Sequence, residues 1–450
     1  MDISVSFDRG TLVGEGLAGA PSFVWDPRSA RYRAPAHAYA RLKEWAALRS
    51  ACLVDGIGPQ IAALPGVVKR PELRPYQADA LGAWTALGRR GVVVMPTGAG
   101  KTRVALAAIA SCGVATVVLC PTRALVAQWR AGLSEVYGGP VGIASDGERL
   151  VEPITVMTFE SAYRHLDELG ARFGLLVVDE VHHFASGSRG EALECAPAPF
   201  RLGLTATAPE AGSAGAERLE GLIGPVVFEI GLSSLTGTHL APLEHTHLVV
   251  SLEPDERAAY DASYRPFAEA LRAHRRAFRA ATWQELLRAL ASSAEGRQVL
   301  AGYHKAEDLA LFPRGKAELV SRLIERHARD KVLVFVARTK DALAISVRDL
   351  IPLITAETSA KERGHVIDAL RSGKLGGLVS ARVLNEGIDL PDVGVAVLVA
   401  GKLGRREAIQ RVGRVLRPRE GKRAKVYTLV SHGTLEERRF VRSWSGLADT

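Results

Sequence analysis

The chain has 450 residues, 47% hydrophobic and 24% charged, and since a single core stops growing near about 250–300 residues, two or three domains are expected. Its 44 glycines and 22 prolines are an ordinary share, which excludes a collagen-like or wholly disordered chain. The formal net charge of +9 favours a polyanionic partner, usually nucleic acid, although a basic housekeeping enzyme would carry the same charge.

Residues 1–65 are predicted to form a small separate α+β unit. Residues 3–7 alternate apolar and polar side chains as a strand does, and residues 36–48 have a helical pattern. Four aromatic residues of this unit are interleaved with arginines: Trp25, Tyr32, Tyr39 and Trp45. They either fill a small core with arginines at its rim, which we favour, or form a nucleic-acid surface.

Residues 66–232 alternate short apolar runs with helical stretches. The predicted strands are 91–95, 115–120, 154–157, 175–179 and 202–205, with helices that include 102–111 and 123–137. Near-continuous apolar strands separated by helices are typical of a parallel sheet covered on both faces. We therefore predict a doubly wound α/β domain here.

Residues 233–313 show no such strands, and helices are predicted throughout 254–311. Five arginines in 264–279 accompany the single acid Glu269, and this stretch is either a solvated helical face or a face that grips phosphates. A second α/β domain is predicted for residues 314–450. Its strands are 332–336, 377–380, 393–399 and 424–429, and its helices are 339–350, 360–371, 405–416 and 434–444.

The strongest local signal is a glycine-rich loop between a predicted strand and a predicted helix. It comprises Pro96, Thr97, Gly98, Ala99, Gly100, Lys101 and Thr102. Glycines let backbone N–H groups wrap a phosphate, and the helix N-terminus adds its positive dipole end. Lys101 is predicted to reach the β- and γ-phosphates of ATP, and the Thr102 hydroxyl to bind Mg²⁺. Met95 stands where the strict phosphate-loop pattern has glycine.

Two carboxylates end the predicted strand 175–179, about 78 residues after the loop. Asp179 is placed to hold Mg²⁺ through its water shell, and Glu180 to orient and activate the attacking water. His182 and His183 are not predicted as zinc ligands, because no cysteine or acid cluster completes such a site.

A polar helix face lies in the carboxyl-terminal half. Gln410, Arg414 and Arg417 recur at helical spacing and would share one face. Such arginines can stabilise the charge that develops on a γ-phosphate, as arginine fingers do, whereas the alternative is a basic surface helix. Residues 401–425 contain ten Lys and Arg against two Glu, so the positive charge is concentrated here.

Together these segments resemble motifs I, II, III and VI of superfamily 2 helicases, at 96–102, 179–182, 204–207 and 410–417. Residues 73–77, 121–129, 332–338 and 385–391 resemble the upstream Q-motif and motifs Ia, IV and V, in the family's order. The nearest match is the XPB branch in its short archaeal and bacterial forms. Its spelling appears in Asp-Glu-Val-His at 179–182, in 410–418 and in Gly-Thr-Leu-Glu-Glu at 433–437.

The resemblance implies two RecA-like domains with ATP between them, a helical thumb-like insertion and a DNA-contacting, damage-recognition-like domain at 1–65. It implies ATP contacts for Arg74, Gln77, Gly387 and Asp389, with Gln77 in the motif that contacts adenine. It implies roles in coupling nucleotide state to DNA for His182, Thr205 and Thr207. It implies contacts to the DNA backbone for Arg123, Gln128 and Trp129, with little sequence specificity.

One departure concerns strand opening. In the XPB branch an Arg-Glu-Asp tripeptide follows motif III shortly, and residues 207–218 contain none, while Ala208 interrupts the usual Thr-Ala-Thr-Pro. The main hypothesis is a DNA-dependent ATPase that translocates along duplex DNA or opens it. The alternatives are an ATP-driven remodelling or nuclease-loading switch without robust unwinding, and an RNA-directed motor of the same superfamily.

The remaining features concern compartment and assembly. Cys52, Cys112, Cys120 and Cys195 form no Cys-x-x-Cys pair, which favours a reduced cytosolic protein over a disulfide framework or zinc site. Neither a signal peptide nor an 18-residue apolar run is apparent, so we expect a cytoplasmic protein, nucleoid-associated in a prokaryote, with no membrane span. A monomer is expected because one chain carries both halves of the ATP site, and the XPB resemblance suggests a nuclease partner.

Overall fold

The structure is a computed structural model that describes residues 2–145, 147–187, 190–235, 242–277, 283–381, 393–399 and 424–444. The chain divides into two compact units, of which the first comprises Met1–Leu235 and the second begins at Thr236. Among the described residues, no helix has both the length and the apolar character that crossing a bilayer requires.

A small α+β fold begins the first unit, as the predicted fold class requires, while its boundary at residue 65 stays a prediction. Its strands are β1 (Asp2–Asp8), β2 (Thr11–Glu15), β3 (Val24–Asp26), β4 (Arg31–Pro35) and β5 (Cys52–Asp55), in the order β3-β4-β2-β1-β5. A 3-10 turn at Ala36–Ala38 leads into helix α1 (Tyr39–Leu48), which packs Tyr39 into the core. Trp25 is instead 52% exposed, so the core interpretation holds for Tyr39 and not for Trp25.

An eight-stranded sheet forms the core of the rest of the first unit. Its strands are β6 (Arg90–Val94), β7 (Thr116–Cys120), β8 (Val141–Ser145), β9 (Glu148–Leu150), β10 (Ile154–Thr158), β11 (Leu175–Asp179), β12 (Phe200–Thr205) and β13 (Val226–Glu229). The order is β13-β6-β12-β11-β7-β10-β8-β9, and only the β8–β9 pair is antiparallel. The five predicted strands are confirmed, whereas β8, β9 and β13 were not predicted.

Helices cover both faces of this sheet, as the doubly wound prediction requires. They are α2 (Pro75–Ala86), α3 (Lys101–Cys112), α4 (Arg123–Val136), α5 (Phe159–Leu169), α6 (Glu191–Glu194), α7 (Ala214–Leu222) and α8 (Leu232–Leu235). Val117 and Val118 point to opposite faces of β7, and both are 0% exposed.

The second unit contains a six-stranded, wholly parallel sheet. Its strands are β14 (Leu243–Val250), β15 (Val332–Val336), β16 (Leu353–Ile354), β17 (Gly377–Ala381), β18 (Val395–Val399) and β19 (Ala424–Ser431), in the order β14-β19-β18-β15-β17-β16. The prediction of no strand within 233–313 was wrong, since β14 pairs along its whole length with β19. This edge strand reads Leu-Glu-His-Thr-His-Leu-Val-Val and is only half-buried, so it lacks the continuous apolar run that the other strands show.

Long helices follow β14, as the pattern in 254–311 predicts. They are α9 (Pro254–Ala277), α10 (Trp283–Ala291) and α11 (Ala294–Leu311), and they precede α12 (Arg314–Arg326), α13 (Thr339–Asp349), α14 (Ala360–Arg371) and α15 (Leu435–Trp444). The buried Lys316 Nζ lies 2.6 Å from Glu436 Oε2 and ties the start of α12 to α15. The Tyr260 hydroxyl accepts the Leu435 N–H at 2.8 Å, so α9 is fastened to α15 as well.

Candidate nucleotide site and nucleic-acid interface

The glycine-rich loop lies between β6 and α3, in the predicted strand–loop–helix setting. Gly98 and Gly100 have φ angles of 85° and 83°, a left-handed conformation that glycine adopts without steric cost. Gly100 precedes the first residue of α3 and offers no side chain to cap it, so the first-turn amides can turn to an anion. Lys101 Nζ donates to the Met95 carbonyl at 3.1 Å and thus bridges the loop.

The residues predicted upstream of the loop lie directly against it. Gln77 is 2% exposed; its Nε2 donates to the Ala99 carbonyl at 2.7 Å, and its Oε1 accepts the Arg74 backbone N–H at 3.0 Å. A Cβ added to Gly100 would lie only 2.3 Å from Gln77 Nε2. The structure therefore gives Gln77 a role in holding the loop, while its predicted adenine contact stays a prediction.

The two carboxylates occupy the carboxyl end of β11, beside Lys101. Burial and the charge of Glu180 raise the pKa of Asp179, against the opposing effect of Lys101. Burial would raise the pKa of Glu180 too, but His182, Lys101 and His183 together lower it. Glu180 is therefore ionised at neutral pH, as a group that accepts a proton from water must be.

The residues predicted to couple nucleotide and DNA states form one hydrogen-bonded chain. The Thr205 hydroxyl donates to the Thr207 carbonyl at 3.0 Å, so it can only accept from His182 Nδ1, which lies 3.1 Å away. The His182 proton is thereby assigned to Nδ1, which also lies 3.4 Å from Glu180 Oε2. Hydrogen bonds thus link His182 to the segment that follows β12, and a 3.4 Å contact between His182 Nδ1 and Glu180 Oε2 brings Glu180 next to this chain.

Trp129 departs from its predicted role as a DNA contact. Its side chain is 2% exposed, and its Nε1 donates to Asp179 Oδ2 at 2.9 Å, so no face of the indole is available to a polyanion. Val126, Trp129 and Leu133 form the buried stripe of α4. Their helical spacing indicates a buried Trp129, whereas the motif comparison had indicated a DNA contact.

Arg123 and Gln128 are exposed on α4, and their contacts to DNA stay predictions. A groove beside the helix is lined by polar and charged groups, among them Thr122, Arg123, Arg149, Thr158, Arg164 and His165 together with Glu148 and Glu160. Arg164 is paired with Glu160 and Arg149 with Glu168, each at 2.9 Å. The Thr122 and Thr158 hydroxyls cap α4 and α5, so two helix N-termini open on this groove. These helices follow β7 and β10, and because all these strands are parallel, the groove and the phosphate loop share one edge of the sheet.

Several predicted site residues lie outside the described residues: Gly387, Asp389, Gln410, Arg414 and Arg417. The same holds for most of the basic stretch 401–425. Their roles therefore stay predictions from the sequence.

Three family models match consecutive parts of the chain. The model of the xeroderma pigmentosum group B helicase damage recognition domain matches residues 5–56, that of the type III restriction enzyme res subunit matches 70–210, and that of the helicase conserved C-terminal domain matches 315–419. Among solved structures, the Hef helicase domain of Pyrococcus furiosus superposes with a TM-score of 0.54 at 18% identity, covering 84% of this chain and 99% of that one. That likeness shows a shared fold.

Two curated relatives are similar along most of the chain. The DNA 3'-5' translocase XPB2 of Sulfurisphaera tokodaii is 32% identical over 437 residues, which cover 97% of this chain and 98% of the relative. The DNA 3'-5' helicase XPB of Kineococcus radiotolerans is 31% identical over 386 residues, which cover 81% of this chain and 61% of the relative. The chain thus spans nearly all of the first relative and less than two thirds of the second.

A parallel sheet whose carboxyl edge carries a phosphate loop, an Asp-Glu pair and a linked His-Thr network defines a superfamily 2 helicase. The damage recognition match at the amino terminus narrows the class further. With the full-length similarity to the Sulfurisphaera protein, the chain belongs to the XPB family of DNA helicases and translocases, and it is an enzyme of that class.

Proposed function

We propose that this protein is a DNA-dependent ATPase that uses ATP hydrolysis to move along duplex DNA and open it, in DNA repair or transcription-linked opening. One observation carries the proposal. A single sheet edge holds the phosphate loop, Asp179 with Glu180, and a polar groove that contains Arg123, Arg149 and Arg164 beside two glutamates and two helix N-termini. The nucleotide site and the groove that we propose for DNA thus lie next to each other at one edge of the same sheet.

Nucleotide binding is assigned to the loop 96–102, with Arg74 and Gln77 beneath it. The residues present fit Mg²⁺, since the Thr102 hydroxyl and the Asp179 carboxylate are hard oxygen ligands, and Mg²⁺ takes only one or two protein ligands beside water and phosphate. The described ranges contain no group of three or more His, Cys, Asp or Glu side chains suited to a metal. When bound, Mg²⁺ would neutralise phosphate charge.

Hydrolysis is assigned to Glu180, which orients the attacking water and accepts its proton. Its position after a buried strand supports this role, and its lowered pKa keeps the carboxylate ionised. His182, Thr205 and Thr207 transmit the state of the site. We assign Gln410, Arg414 and Arg417 to stabilising the transferred charge, and Gly387 with Asp389 to contacting ATP, on the motif resemblance alone.

DNA binding is assigned to the groove beside α4, where Arg123 and Gln128 are exposed. Backbone contacts of this kind position DNA without reading its sequence. We propose that the helices of 254–311 act as a thumb-like grip. In the sequence they follow a motor domain at 66–232, and the second motor domain comprises 314–450 together with β14, which pairs with β19. The sequence-independent grip suits a motor that must pass over any sequence.

A second candidate function is an ATP-driven switch that remodels a partner or loads a nuclease without robust unwinding. The specific observation in its favour is the absence of an Arg-Glu-Asp tripeptide in residues 207–218. We further propose a cytoplasmic monomer, associated with the nucleoid in a prokaryote, with a nuclease partner as the motif resemblance to the XPB branch suggests. Sizing the purified chain with and without DNA tests the monomer directly.

One experiment separates the two functions. ATPase activity and strand displacement are measured in parallel over forked, bubble and blunt DNA and over RNA, for wild type and Lys101→Ala. We expect DNA-stimulated hydrolysis that Lys101→Ala abolishes, together with displacement of forked or bubble strands. Hydrolysis without displacement would favour the switch, and stimulation by RNA alone would contradict a DNA motor.

A further inference from the structure

Both oxygens of the Asp179 carboxylate are held by N–H donors from different parts of the chain. The Glu180 backbone N–H donates to Oδ1 at 3.0 Å, and Trp129 Nε1 donates to Oδ2 at 2.9 Å. Asp179 and Trp129 are 7% and 2% exposed, so bulk water does not compete for these bonds. A carboxylate held at both oxygens keeps one orientation, and the indole supplies half of that restraint.

The donor stands on the helix that also borders the groove. Helix α4 turns Val126, Trp129 and Leu133 towards the core and leaves Arg123 and Gln128 exposed. Its first turn is fixed by the Thr122 cap, and β7, which leads into it, is paired with β11 up to Leu119 opposite Val178. DNA that contacts the outer face of α4 would therefore shift the Trp129 indole relative to the Asp179 carboxylate, which the sheet keeps in place.

We propose that Trp129 is a positioning residue that sets the Asp179 carboxylate for Mg²⁺·nucleotide and conveys DNA contact at α4 to it. This inference rests on the proposed function and adds a physical connection through which DNA and Mg²⁺·nucleotide affect each other's binding. Groups that orient a metal-binding side chain typically change metal affinity or activity by about 10–100-fold when removed. Since coupling between two ligands is reciprocal, Mg²⁺·nucleotide must then change DNA affinity by the same factor.

The simpler view is that Trp129 only fills the core, and the chain offers a matched control for it. Trp84 is 0% exposed, and its Nε1 donates at 2.9 Å to the Arg201 carbonyl. Trp84→Phe and Trp129→Phe therefore lose the same indole N–H at the same depth of burial, and only the second loses a bond to Asp179. A purely structural role predicts the same behaviour for both variants.

The test measures binding of a fluorescent ATP analogue as Mg²⁺ is titrated, with and without duplex DNA. In Trp129→Phe we expect the Mg²⁺ concentration at half-maximal binding to rise about 10–100-fold and the effect of DNA on nucleotide affinity to be lost. Trp84→Phe should follow wild type in both respects. Equal Mg²⁺ dependence and equal DNA coupling in the two variants would overturn the inference.

A second variant covers the case in which Trp129→Phe does not fold. Benzothienylalanine incorporated at position 129 keeps the bicyclic shape and removes only the N–H donor, and it should give the same rise in Mg²⁺ requirement. Wild-type binding that ignores Mg²⁺ would contradict the proposed function itself. Normal wild-type dependence on Mg²⁺ and DNA, retained by the benzothienyl variant, would remove only the role of Trp129.

Discussion

Glu180 has a backbone φ of 51°, in a region that residues other than glycine rarely occupy. Such a conformation costs roughly 1–3 kcal/mol and persists only where the surroundings impose it. Here it directs the Glu180 N–H at Asp179 Oδ1, 3.0 Å away, while the side chain lies beside His182. This backbone conformation therefore orients the Asp179 carboxylate and the Glu180 carboxylate together.

Replacement of the proposed base should separate binding from chemistry. Glu180→Gln keeps the size and shape of the side chain but cannot accept the proton from water, so hydrolysis should fall about 10²–10⁴-fold while ATP binding persists. Single-turnover hydrolysis and equilibrium binding of ATP measure the two effects. Glu135→Gln, at an exposed position of α4, should leave both unchanged, and normal turnover in Glu180→Gln would remove this residue from the mechanism.

The residues of the phosphate loop could be predicted because their chemistry is local. Glycine, lysine and threonine act within a single strand–loop–helix segment, so order along the chain reveals them. The bond from Trp129 to Asp179 could not be predicted in this way, since it joins residues 50 positions apart and depends on β7 lying next to β11. Motif resemblance placed Trp129 towards DNA, and only its helical spacing indicated burial.

The amino-terminal sheet meets the larger sheet of the first unit through the 3-10 turn Ala36–Ala38. A Cβ on Gly10 would lie 2.6 Å from Cys195 Sγ, which shows how closely the two parts approach. His37 lies in this contact near Arg201, Arg90 and Arg41. Burial, and secondarily these cations, lower the pKa of His37 to about 4, so the contact is built around a neutral imidazole.

This contact should make the amino-terminal sheet sensitive to acid. Between its usual pKa of 6.5 and its folded value of about 4, His37 binds a proton in the unfolded state but not in the folded state, so stability falls as pH decreases through that window. From pH 7 to pH 5 the loss should be about 1–2 kcal/mol. His37→Gln should remove it, as measured by urea unfolding followed through proteolysis of this sheet.

The matching control replaces a histidine of the second unit. His304 has a side chain that is 66% exposed, and His304→Gln should retain the acid sensitivity of the amino-terminal sheet. An unchanged pH dependence in His37→Gln would show that another group is responsible.

Among the elements, buried central strands were predicted well and edge strands were not. Strand β11 has only buried residues and was predicted at its actual bounds. Strand β14 mixes exposed and half-buried positions and includes two histidines, and the edge strand β9 has only exposed residues. Strand β8 is an exception, since it lies between β10 and β9 and is mostly buried, but it is short and Gly142 interrupts its apolar run. Edge strands are held by pairing along the backbone more than by burial, so their side chains carry a weaker signal.

At the scale of the whole molecule, the net charge of +9 would favour any polyanion, whereas the groove beside α4 is the particular place that we propose for DNA. The two contributions differ in their dependence on salt. An arginine that contacts a phosphate releases about one counterion on binding, so its removal lowers the salt dependence of DNA affinity. If the charge acted only diffusely, the salt dependence would not depend on which arginine was removed.

Duplex affinity should therefore fall steeply with salt, and Arg123→Ala should reduce the slope of log affinity against log salt by about 1. Arg172→Ala removes the same charge from an exposed site at the opposite, amino-terminal edge of the sheet, and it should leave the slope unchanged. Fluorescence anisotropy over a salt series measures both, and equal slopes in the two variants would exclude a specific contact at Arg123.

The pairing of β14 with β19 has a consequence for biosynthesis. Leu243 to Val250 is matched with Ala424 to Ser431, so the ribosome must add well over a hundred residues before the earlier strand meets its partner. Such long-range pairing is slow and leaves a strand edge unpaired meanwhile. Nearly all of the first unit has been translated by residue 235, so its sheet can form while the second unit is still being translated. Chaperone demand should therefore concentrate on nascent chains that have passed β14 but not yet reached β19.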